Sequence, residues 1–492
     1  MQDSYFEFKI NGRSNFTNVR LFEFYTFELQ GNRYLLQVEQ LVPNEISEET
    51  FHLVSKIAST FGGSACISGA ELHELQSLSL VSNTPIKHSP ELRQSSPSQT
   101  PHLIPRPTVG SISIFVAQKC NMRCVYCYGG DGEYGNKGLM SSQVALKTVD
   151  WLISNSGDLP SVHIGFFGGE PLVNFRIIRE VVHYAKAQVK KNGKRVTFGL
   201  ITNGVLLSEE RIVFLRDNEI SVTVSFDGPP EIQNTQRPLS NGGDSYDKIV
   251  SNVHKLSEYF SAASARATIS GDTDIEVVRA GLIRAGFTNY QLMRVSEVAL
   301  STKETTDTEN SRSTRVERML ATEKILADEL LKIIKARELG EVSPNGMVGY
   351  FLLRLISPVR HHYYCGAGRG VFAIGSSGDI YPCHRFVGLS EFKLGNIATY
   401  QVGKVNRFHG RRVDGLIECS SCWARYACGG CCYYNNQVRR GDTHLPDRDS
   451  CRELRSLIEI ATVLYFQLNE EDRQYFSAAQ LSRSLTDIKD VV

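Results

Sequence analysis

Short apolar runs recur along the middle of the chain and predict its main architecture. Six of them lie between residues 109 and 300: SISIFVA, VHIGFFG, VTFGLIT, SVTVSFDG, ARATIS and YQLMRV. Each is separated from the next by a stretch that could hold a helix. This alternation predicts an α/β fold with six β/α units and a parallel sheet, open or curled into a partial TIM-like barrel.

Polar and glycine-containing segments follow the predicted strands. Cys120 follows the first strand, GGEP (168–171) ends the second, TNG (202–204) the third and SFDG (225–228) the fourth. Ser270 follows the fifth strand and Arg294 lies at the end of the sixth. Because a parallel sheet presents its site at the carboxyl ends of its strands, we expect these positions to converge on one rim.

The flanking regions differ from this central pattern. Strand-like runs and a helix pattern after Ser47 predict a small α+β, winged-helix-like unit at the start of the chain, and the Pro, Ser and Gln density after residue 83 predicts a linker. TRVERMLATEKILADELLKIIKA predicts an amphipathic helix. We predict five segments: the α+β unit at 1–85, the linker at 86–108, the partial barrel at 109–310, a helical bridge at 311–360 and a cysteine-rich region with a C-terminal helix at 361–492.

Composition narrows the class of protein. The 492 residues are 41% hydrophobic and 22% charged, with a net charge of +1, which is typical of a soluble multidomain protein and favours neither nucleic acid nor membrane as a partner. No signal-peptide pattern or bilayer-length apolar run is visible, so we expect a cytoplasmic location. In such a compartment, twelve cysteines indicate metal binding rather than disulfides.

The stretch CNMRCVYC places Cys120, Cys124 and Cys127 in the spacing C-x3-C-x2-C. Three thiolates from one loop can bind one inorganic cluster, whereas zinc would need a fourth ligand, and no Cys or His follows before His163. A 4Fe-4S cluster held in this way has one iron with an open position for a non-protein ligand. A redox-inert zinc loop is the alternative.

Eight more cysteines lie beyond residue 360. Two of them, Cys365 and Cys383, flank a predicted β-hairpin turned at SSGD (376–379). Eight thiols exceed the need of one tetrahedral zinc and suit two clusters better, with a pair of zinc ribbons as the alternative. The other six are Cys419, Cys422, Cys428, Cys431, Cys432 and Cys451.

The spacing of the first cysteines, with an aromatic residue before the last one, and the GGEP segment resemble the radical S-adenosylmethionine (SAM) superfamily over residues 109 to 300. The resemblance implies that the open iron chelates SAM and that an electron from the cluster cleaves SAM to a 5'-deoxyadenosyl radical, which abstracts hydrogen from carbon. It also implies contacts to the amino group, ribose and carboxylate of SAM. These positions are Tyr126, Gly168, Gly169, Glu170, Thr202, Asn203, Ser225 and Arg294.

Seven of the later cysteines are similar in spacing to the SPASM extension of that superfamily, which implies two auxiliary 4Fe-4S clusters and three clusters in all. By this resemblance the outer cluster is held by Cys419, Cys422, Cys428 and Cys451. The inner one is held by Cys365, Cys383 and Cys432. The inner cluster then has an open iron at which a substrate thiolate could dock. Cys431 is an extra thiol that could fill this position or compete for it.

His384 distinguishes this chain within the family. Sulfatase maturases typically carry Asp directly after the second SPASM cysteine, whereas PCHRFVG here looks like the thioether-forming sactipeptide, ranthipeptide and SCIFF-type peptide maturases. We interpret His384 as a candidate catalytic residue, with a hydrogen-bonding role at the hairpin end as the alternative. Asp227 and Arg237 could pair at the rim or stabilise a turn and a loop, and neither is expected to be catalytic.

The resemblance implies a function in which a radical formed from SAM leads to a thioether between a cysteine and a carbon of a ribosomally made precursor peptide. The α+β unit would bind the leader of that peptide as an added strand, and a flavodoxin or ferredoxin-type protein would supply electrons. Three alternatives stay open: carbon-carbon crosslinking, oxidation of Cys or Ser, and a non-enzymatic iron-sulfur or zinc scaffold that binds peptides. The α+β unit could instead be an unrelated domain that packs on the barrel or dimerises.

Overall fold

The computed structural model describes residues 5–10, 16–59, 65–82, 108–269, 273–294, 309–338, 347–399, 408 and 412–487. Most of the predicted linker, together with Ser270, lies outside these residues. None of the helices in the described part combines the length and apolar character needed to span a bilayer. The boundaries of the five segments stay predictions.

The N-terminal unit is α+β, as expected, and contains two small sheets. One has the strand order β6-β1-β2-β7 and the other β3-β4-β5. Its helix α1 begins where Ser47 Oγ accepts a hydrogen bond from Thr50 N at 3.1 Å. The elements are β1 (Tyr5–Ile10), β2 (Phe16–Leu21), β3 (Phe24–Leu29), β4 (Asn32–Gln37), β5 (Pro43–Ile46), α1 (Glu48–Ser59), β6 (Ala65–Ile67), α2 (Gly69–Ser77) and β7 (Val81–Ser82).

Six parallel strands form the central sheet, and all six predicted strands are confirmed. They follow chain order across the sheet, with helices between them, which is the arrangement of a partial (β/α)6 barrel. The elements are β8 (Ser111–Gln118), β9 (Gly138–Leu139), α3 (Ser142–Asn155), β10 (Ser161–Gly168), α4 (Phe175–Lys191), β11 (Arg195–Thr202), α5 (Glu209–Asp217), β12 (Ile220–Ser225), α6 (Pro230–Gln236), α7 (Tyr246–Tyr259), β13 (Ser264–Ile269), α8 (Ile275–Arg284) and β14 (Asn289–Arg294).

Two of these strands alternate strictly between buried and half-buried positions. In β12, Ile220, Val222 and Val224 are buried, whereas the Ser and Thr residues between them are half-buried. β13 repeats the pattern, with alanines and Ile269 buried. Successive residues of a strand point to opposite faces, so one face of each strand packs in the apolar core and the other is polar.

The C-terminal region extends the same sheet. β15 pairs in parallel with β8, and β15 and β16 form the predicted hairpin. Two long helices, α9 and α13, pack with α10 into a second apolar core. The elements are α9 (Glu309–Ala336), α10 (Met347–Ile356), β15 (Val371–Ile374), β16 (Asp379–Tyr381), β17 (Gly395–Asn396), α11 (Arg425–Cys428), α12 (Tyr433–Arg440), α13 (Arg448–Gln467) and α14 (Glu470–Asp487).

The N-terminal unit packs against the cysteine-rich region. The rings of Tyr25 and Trp423 stack with their centroids 4.0 Å apart and their planes 3° apart. Tyr25 also donates a hydrogen bond to Glu459 Oε1 at 2.9 Å, and Glu23 forms an ion pair with the buried Arg425. Because Trp423 and Arg425 lie between two cysteines of the C-terminal region, this interface supports the loop that carries those thiols.

We expect Glu23→Gln to weaken this interface. The change leaves the Arg425 guanidinium without its counter-charge, which should cost roughly 2 kcal/mol because Glu23 keeps some contact with solvent. Thermal unfolding and limited proteolysis of the N-terminal unit would measure the loss. The control is Glu28→Gln, which removes an exposed ion pair with Arg33 and should change stability little. Equal effects of the two substitutions would contradict the assigned role of Glu23.

Candidate functional site

A cavity of about 290 Å³ opens at the carboxyl ends of the parallel strands. It brings together the three cysteines of CNMRCVYC, seven of the eight predicted SAM-contacting residues and His384. The eighth, Arg294, ends β14, and its side chain is outside the description. The predicted residues that line the cavity are Cys120, Cys124, Tyr126, Cys127, Gly168, Gly169, Glu170, Thr202, Asn203, Ser225 and His384.

The loop that carries the first cysteines is fixed by backbone and side-chain contacts. Arg123 N donates to Pro238 O at 2.9 Å and Val125 N to Gln236 O at 3.0 Å, so the loop pairs with the end of α6 and the segment that follows it. Asn203 Nδ2 lies 3.8 Å from Cys120 Sγ and holds the neighbouring Asn121 at 2.8 Å. The three thiols therefore come from a loop whose path is set by two other parts of the rim.

Glu170 is fully buried and joins the second rim segment to the third. Its carboxylate accepts hydrogen bonds from Leu172 N at 2.9 Å, from Thr202 Oγ1 at 2.8 Å and from Asn203 N at 2.8 Å. Burial raises the pKa of Glu170 to about 7, although these hydrogen bonds oppose the shift. Glu170 thus titrates near neutral pH. Three of the hydrogen-bond acceptor positions on its carboxylate are already occupied by donors of the protein itself.

The two glycines before Glu170 are required by close backbone contacts. Gly168 has φ +136°, a conformation that other residues rarely adopt. A Cβ atom on Gly169 would lie 2.5 Å from Lys119 O and would also collide with Gly132 O. The GGEP segment is therefore packed directly against the cysteine loop, as close approach to a bound cofactor also requires.

Tyr126, Asp227 and Arg237 form a buried network behind the second cysteine. Arg237 Nε lies 2.9 Å from Asp227 Oδ2, and the guanidinium lies 5.2 Å from the centre of the Tyr126 ring. Tyr126 donates a hydrogen bond to the same carboxylate. Arg237 Nη1 is 3.9 Å from Cys124 Sγ, so a fixed positive charge faces a thiol of the loop. Asp227 and Arg237 do pair at the rim, one of the two options that the sequence offered.

His384 also lines the cavity, beside two aromatic rings. Its ring centre is 5.1 Å from that of Phe167 and 6.2 Å from that of Tyr128. Burial, followed by the positive charges of Arg266 and Arg385, lowers the pKa of His384 to about 3. The imidazole is therefore neutral at physiological pH, in a region of positive potential.

Arg266 and Arg385 line the cavity but are absent from the sequence prediction. Arg385 Nη1 donates to Asn435 Oδ1 at 2.7 Å and lies 3.7 Å from Cys432 Sγ, while its guanidinium is 4.3 Å from the centre of the Tyr434 ring. Arg385 thus contacts both the cavity and a cysteine of the C-terminal region. One sequence feature could have identified Arg266 as a cavity residue: it is a charged residue between two alanines in a short apolar strand.

The later cysteines separate into two groups. Burial raises the pKa of Cys383 most, and electrostatic repulsion from Cys365 and Cys432 raises it further, so these three thiols are neighbours. Burial and then repulsion from Cys428, Cys451 and Cys422 raise the pKa of Cys419, which indicates a second group. That group consists of Cys419, Cys422, Cys428, Cys451 and Cys431. Cys431 contacts Cys428 and Cys451 of this group, whereas the sequence suggested that it could fill the open position of the inner cluster or compete for it.

The three thiols of CNMRCVYC suit an iron-sulfur cluster with one open position. In the described part of the chain, no three Cys, His, Asp or Glu side chains are arranged to hold one metal ion. Burial raises the pKa of Cys120 to about 12, and metal binding would replace the proton there by a compensating positive charge. Three thiols on one fixed loop, with a cavity beside them, match a 4Fe-4S cluster whose fourth iron accepts a small ligand.

Residues 114–280 match the model of the radical SAM superfamily, so the chain carries a radical SAM domain. That superfamily uses SAM and a 4Fe-4S cluster. The chain is 26% identical to the serine-type anaerobic sulfatase-maturating enzyme of Bacteroides thetaiotaomicron, over 66% of this chain and 83% of that protein. It is 29% identical to the uncharacterized protein MJ0907 of Methanocaldococcus jannaschii, over 29% of this chain, and spans about half of that protein, 47% of its length.

Solved structures share the fold over a longer stretch. Native anSMEcpe with bound AdoMet and Cp18Cys peptide matches 76% of this chain and 100% of its own, with a TM-score of 0.59 and 20% identity. Streptococcus suis SuiB bound to the precursor peptide SuiA matches 87% of this chain and 99% of its own, with a TM-score of 0.51 and 15% identity. At these identities the likeness shows the fold.

We expect Gly169→Ala to displace the cysteine loop, because its Cβ would overlap two backbone carbonyl oxygens. Overpacking of this kind costs about 1 to 3 kcal/mol. Iron content and SAM binding of the anaerobically reconstituted protein should both fall. The control is Gly165→Ala in the same strand, where no atom lies nearer than 3.6 Å to the added Cβ. Full iron content in the Gly169 variant would contradict the close-contact argument.

The pKa of Glu170 predicts a pH dependence of SAM binding. Because its carboxyl group titrates at about 7, the ionised form that best accepts a hydrogen bond from the amino group of SAM increases as the pH rises from 6 to 8. We expect roughly tenfold tighter binding over this range. Anaerobic calorimetry would measure it, with Glu170→Gln as the variant whose curve should be flat. Parallel curves for both proteins would exclude Glu170 as the cause.

Proposed function

We propose that this chain, which carries a radical SAM domain, is a peptide maturase that forms a thioether between a cysteine sulfur and a carbon of a precursor peptide. One observation carries the proposal. His384 and Arg385, which directly follow Cys383, line the same cavity as the first cysteine loop, and Arg385 contacts Cys432. A substrate sulfur held at the inner thiol group would thus lie beside the space in which the radical forms.

Two sets of cavity residues would bind the cluster and SAM. Cys120, Cys124 and Cys127 would hold the 4Fe-4S cluster, and the GGEP segment with the other rim residues would hold SAM. Bound together, cluster and cofactor supply a 5'-deoxyadenosyl radical. Phe167, Tyr128 and His384 give the cavity an aromatic surface next to the cysteine loop, which would help to exclude water from a reactive intermediate.

The reaction balances as the loss of two hydrogens from the peptide. One hydrogen would leave the acceptor carbon as a hydrogen atom, which the bound cofactor would accept. The other would leave the cysteine thiol as a proton. Formation of the carbon-sulfur bond would release one electron, which an auxiliary cluster would accept. Cys365, Cys383 and Cys432 would hold the inner cluster, and the outer group of thiols would hold the second one, which gives three 4Fe-4S clusters in all.

The positive charge around His384 favours a substrate that binds as a thiolate over one that a carboxylate base must deprotonate. Sulfatase maturases typically carry a carboxylate at this position, which would repel a bound thiolate. Here the side chain is a neutral imidazole, and Arg266 and Arg385 make the local potential positive. A thiolate is stabilised by that potential, whereas a carboxylate in place of His384 would reduce it.

A precursor peptide is the proposed substrate because the matched structures include complexes with peptides. SuiB was solved with SuiA, and anSMEcpe with the Cp18Cys peptide. In this chain the short strands β6 and β7 end one sheet of the N-terminal unit, and β3 and β5 end the other, among the described residues. A leader peptide could add as a strand at such an edge. A flavodoxin or ferredoxin-type protein is the proposed electron donor.

The test is an anaerobic reaction of the reconstituted full chain with SAM, dithionite and the cysteine-rich peptide encoded nearest its gene. We expect 5'-deoxyadenosine and a peptide that has lost two hydrogens and resists thiol alkylation at the crosslinked cysteine. A product whose thiols all still alkylate would indicate carbon-carbon crosslinking, and an aldehyde would indicate oxidation. Absence of 5'-deoxyadenosine would leave the binding scaffold as the explanation.

Two variants separate the roles of the thiol groups. Cys124→Ala should abolish 5'-deoxyadenosine formation but retain about eight of twelve iron atoms, since it removes a ligand of the first cluster only. Cys432→Ala should still cleave SAM but give little crosslinked peptide. Unchanged SAM cleavage in the Cys124 variant, or full crosslinking in the Cys432 variant, would refute the corresponding assignment.

A further inference from the structure

The segment CGGCC at 428–432 makes a corner in which two adjacent cysteines face different thiol groups. Three consecutive residues have left-handed backbone, with φ +80° at Gly429, +104° at Gly430 and +64° at Cys431. A Cβ atom on Gly429 would lie 2.7 Å from Tyr364 N, so the corner is also sterically tight. The chain turns here between α11 and α12, and Cys432 emerges on the side of the inner group.

Cys431 emerges on the side of the outer group and touches two of its members. Its Sγ atom lies 3.9 Å from that of Cys428 and 3.6 Å from that of Cys451. The side chain is buried, with 1% of its surface exposed. The contacts join three thiols that come from α11, from the corner and from the first turn of α13.

Packing alone does not account for this placement. A buried cysteine often serves as a small apolar side chain, but a non-glycine residue with positive φ carries a backbone cost. Such strain persists where the surrounding structure requires it, often at functional sites. Here the strained conformation directs the thiol to two other thiols.

We propose that Cys431 and Cys451 share one ligand position of the outer cluster. The inference rests on the proposed function, since it takes the outer group as a cluster site. A 4Fe-4S cluster takes four cysteine ligands and the group offers five, and Cys431 lies nearer to Cys451 than to Cys428. In the exchange, one iron-sulfur bond would break as the other forms, and the proton would pass between the two sulfurs. No electron is gained or lost.

Iron and sulfide analysis of the anaerobically reconstituted full chain tests this exchange. Wild type should hold about twelve irons, and so should Cys451→Ala, because Cys431 completes the site. The double variant Cys431→Ala/Cys451→Ala keeps three outer thiols, so its outer cluster has an iron without a cysteine ligand. After mild oxidation, which removes such an iron, it should hold about one iron fewer than Cys451→Ala treated in the same way. The matched control is Cys422→Ala, which removes an outer thiol outside the pair and should also lose about one iron more than wild type. Loss of this iron in Cys451→Ala alone, or its retention in the double variant, would overturn the proposal.

A spectroscopic measurement does not depend on the folding of the Cys451 variant. If two ligation states coexist, the electron paramagnetic resonance signal of the reduced outer cluster is heterogeneous in wild type and becomes homogeneous in Cys431→Ala. Identical spectra would refute the shared position. Fewer than about twelve irons in wild type would instead refute the proposed set of three clusters, so the two failures are distinguishable.

Discussion

Parallel pairing between β8 and β15 is the constraint on which the arrangement of the site depends. Ser111 to Ile114 pair with Val371 to Ile374, although most of the barrel lies between them in the chain. β8 already pairs with β10 on its other side, so the C-terminal hairpin becomes part of the barrel sheet. The bond from Ser376 N to Gln118 Oε1, at 2.8 Å, fixes the turn of the hairpin to the end of β8. Cys383, His384 and Arg385 are thereby held next to the first cysteine loop.

Sequence patterns predicted the rim because its features are local. Apart from His384, each residue assigned to the cavity lies at the end of a strand, just after one or in the cysteine loop, and parallel strands bring their carboxyl ends together without further information. The contacts of Glu170 with Thr202 and Asn203 illustrate this result, because two segments predicted separately prove to be hydrogen-bonded to one another. The same contacts show that these residues stabilise the rim itself in addition to facing the cavity.

The features that escaped prediction depend on residues far apart in the chain. Nothing near Arg385 in the sequence indicates that it reaches Cys432, and the stack of Tyr25 on Trp423 joins the two ends of the protein. Arg266, which lines the cavity, was not predicted for a different reason. A strand of a parallel sheet is usually apolar on both faces, so a single arginine in β13 looks like an edge position until the polar interior of the barrel is known.

The outer thiol group lies in the segment that joins the N-terminal unit to the inner thiols. Trp423 and Arg425, which dock the N-terminal unit, lie between Cys422 and Cys428, and Arg425 Nη1 also donates to Cys422 O at 3.0 Å. At the other end of this segment, Cys431 is bonded through one peptide to Cys432 of the inner group. Because the corner at 429–431 is sterically tight, we expect a shift of the outer loop to displace Cys432 as well. The N-terminal unit, the outer thiols and the inner thiols are therefore connected through one short segment.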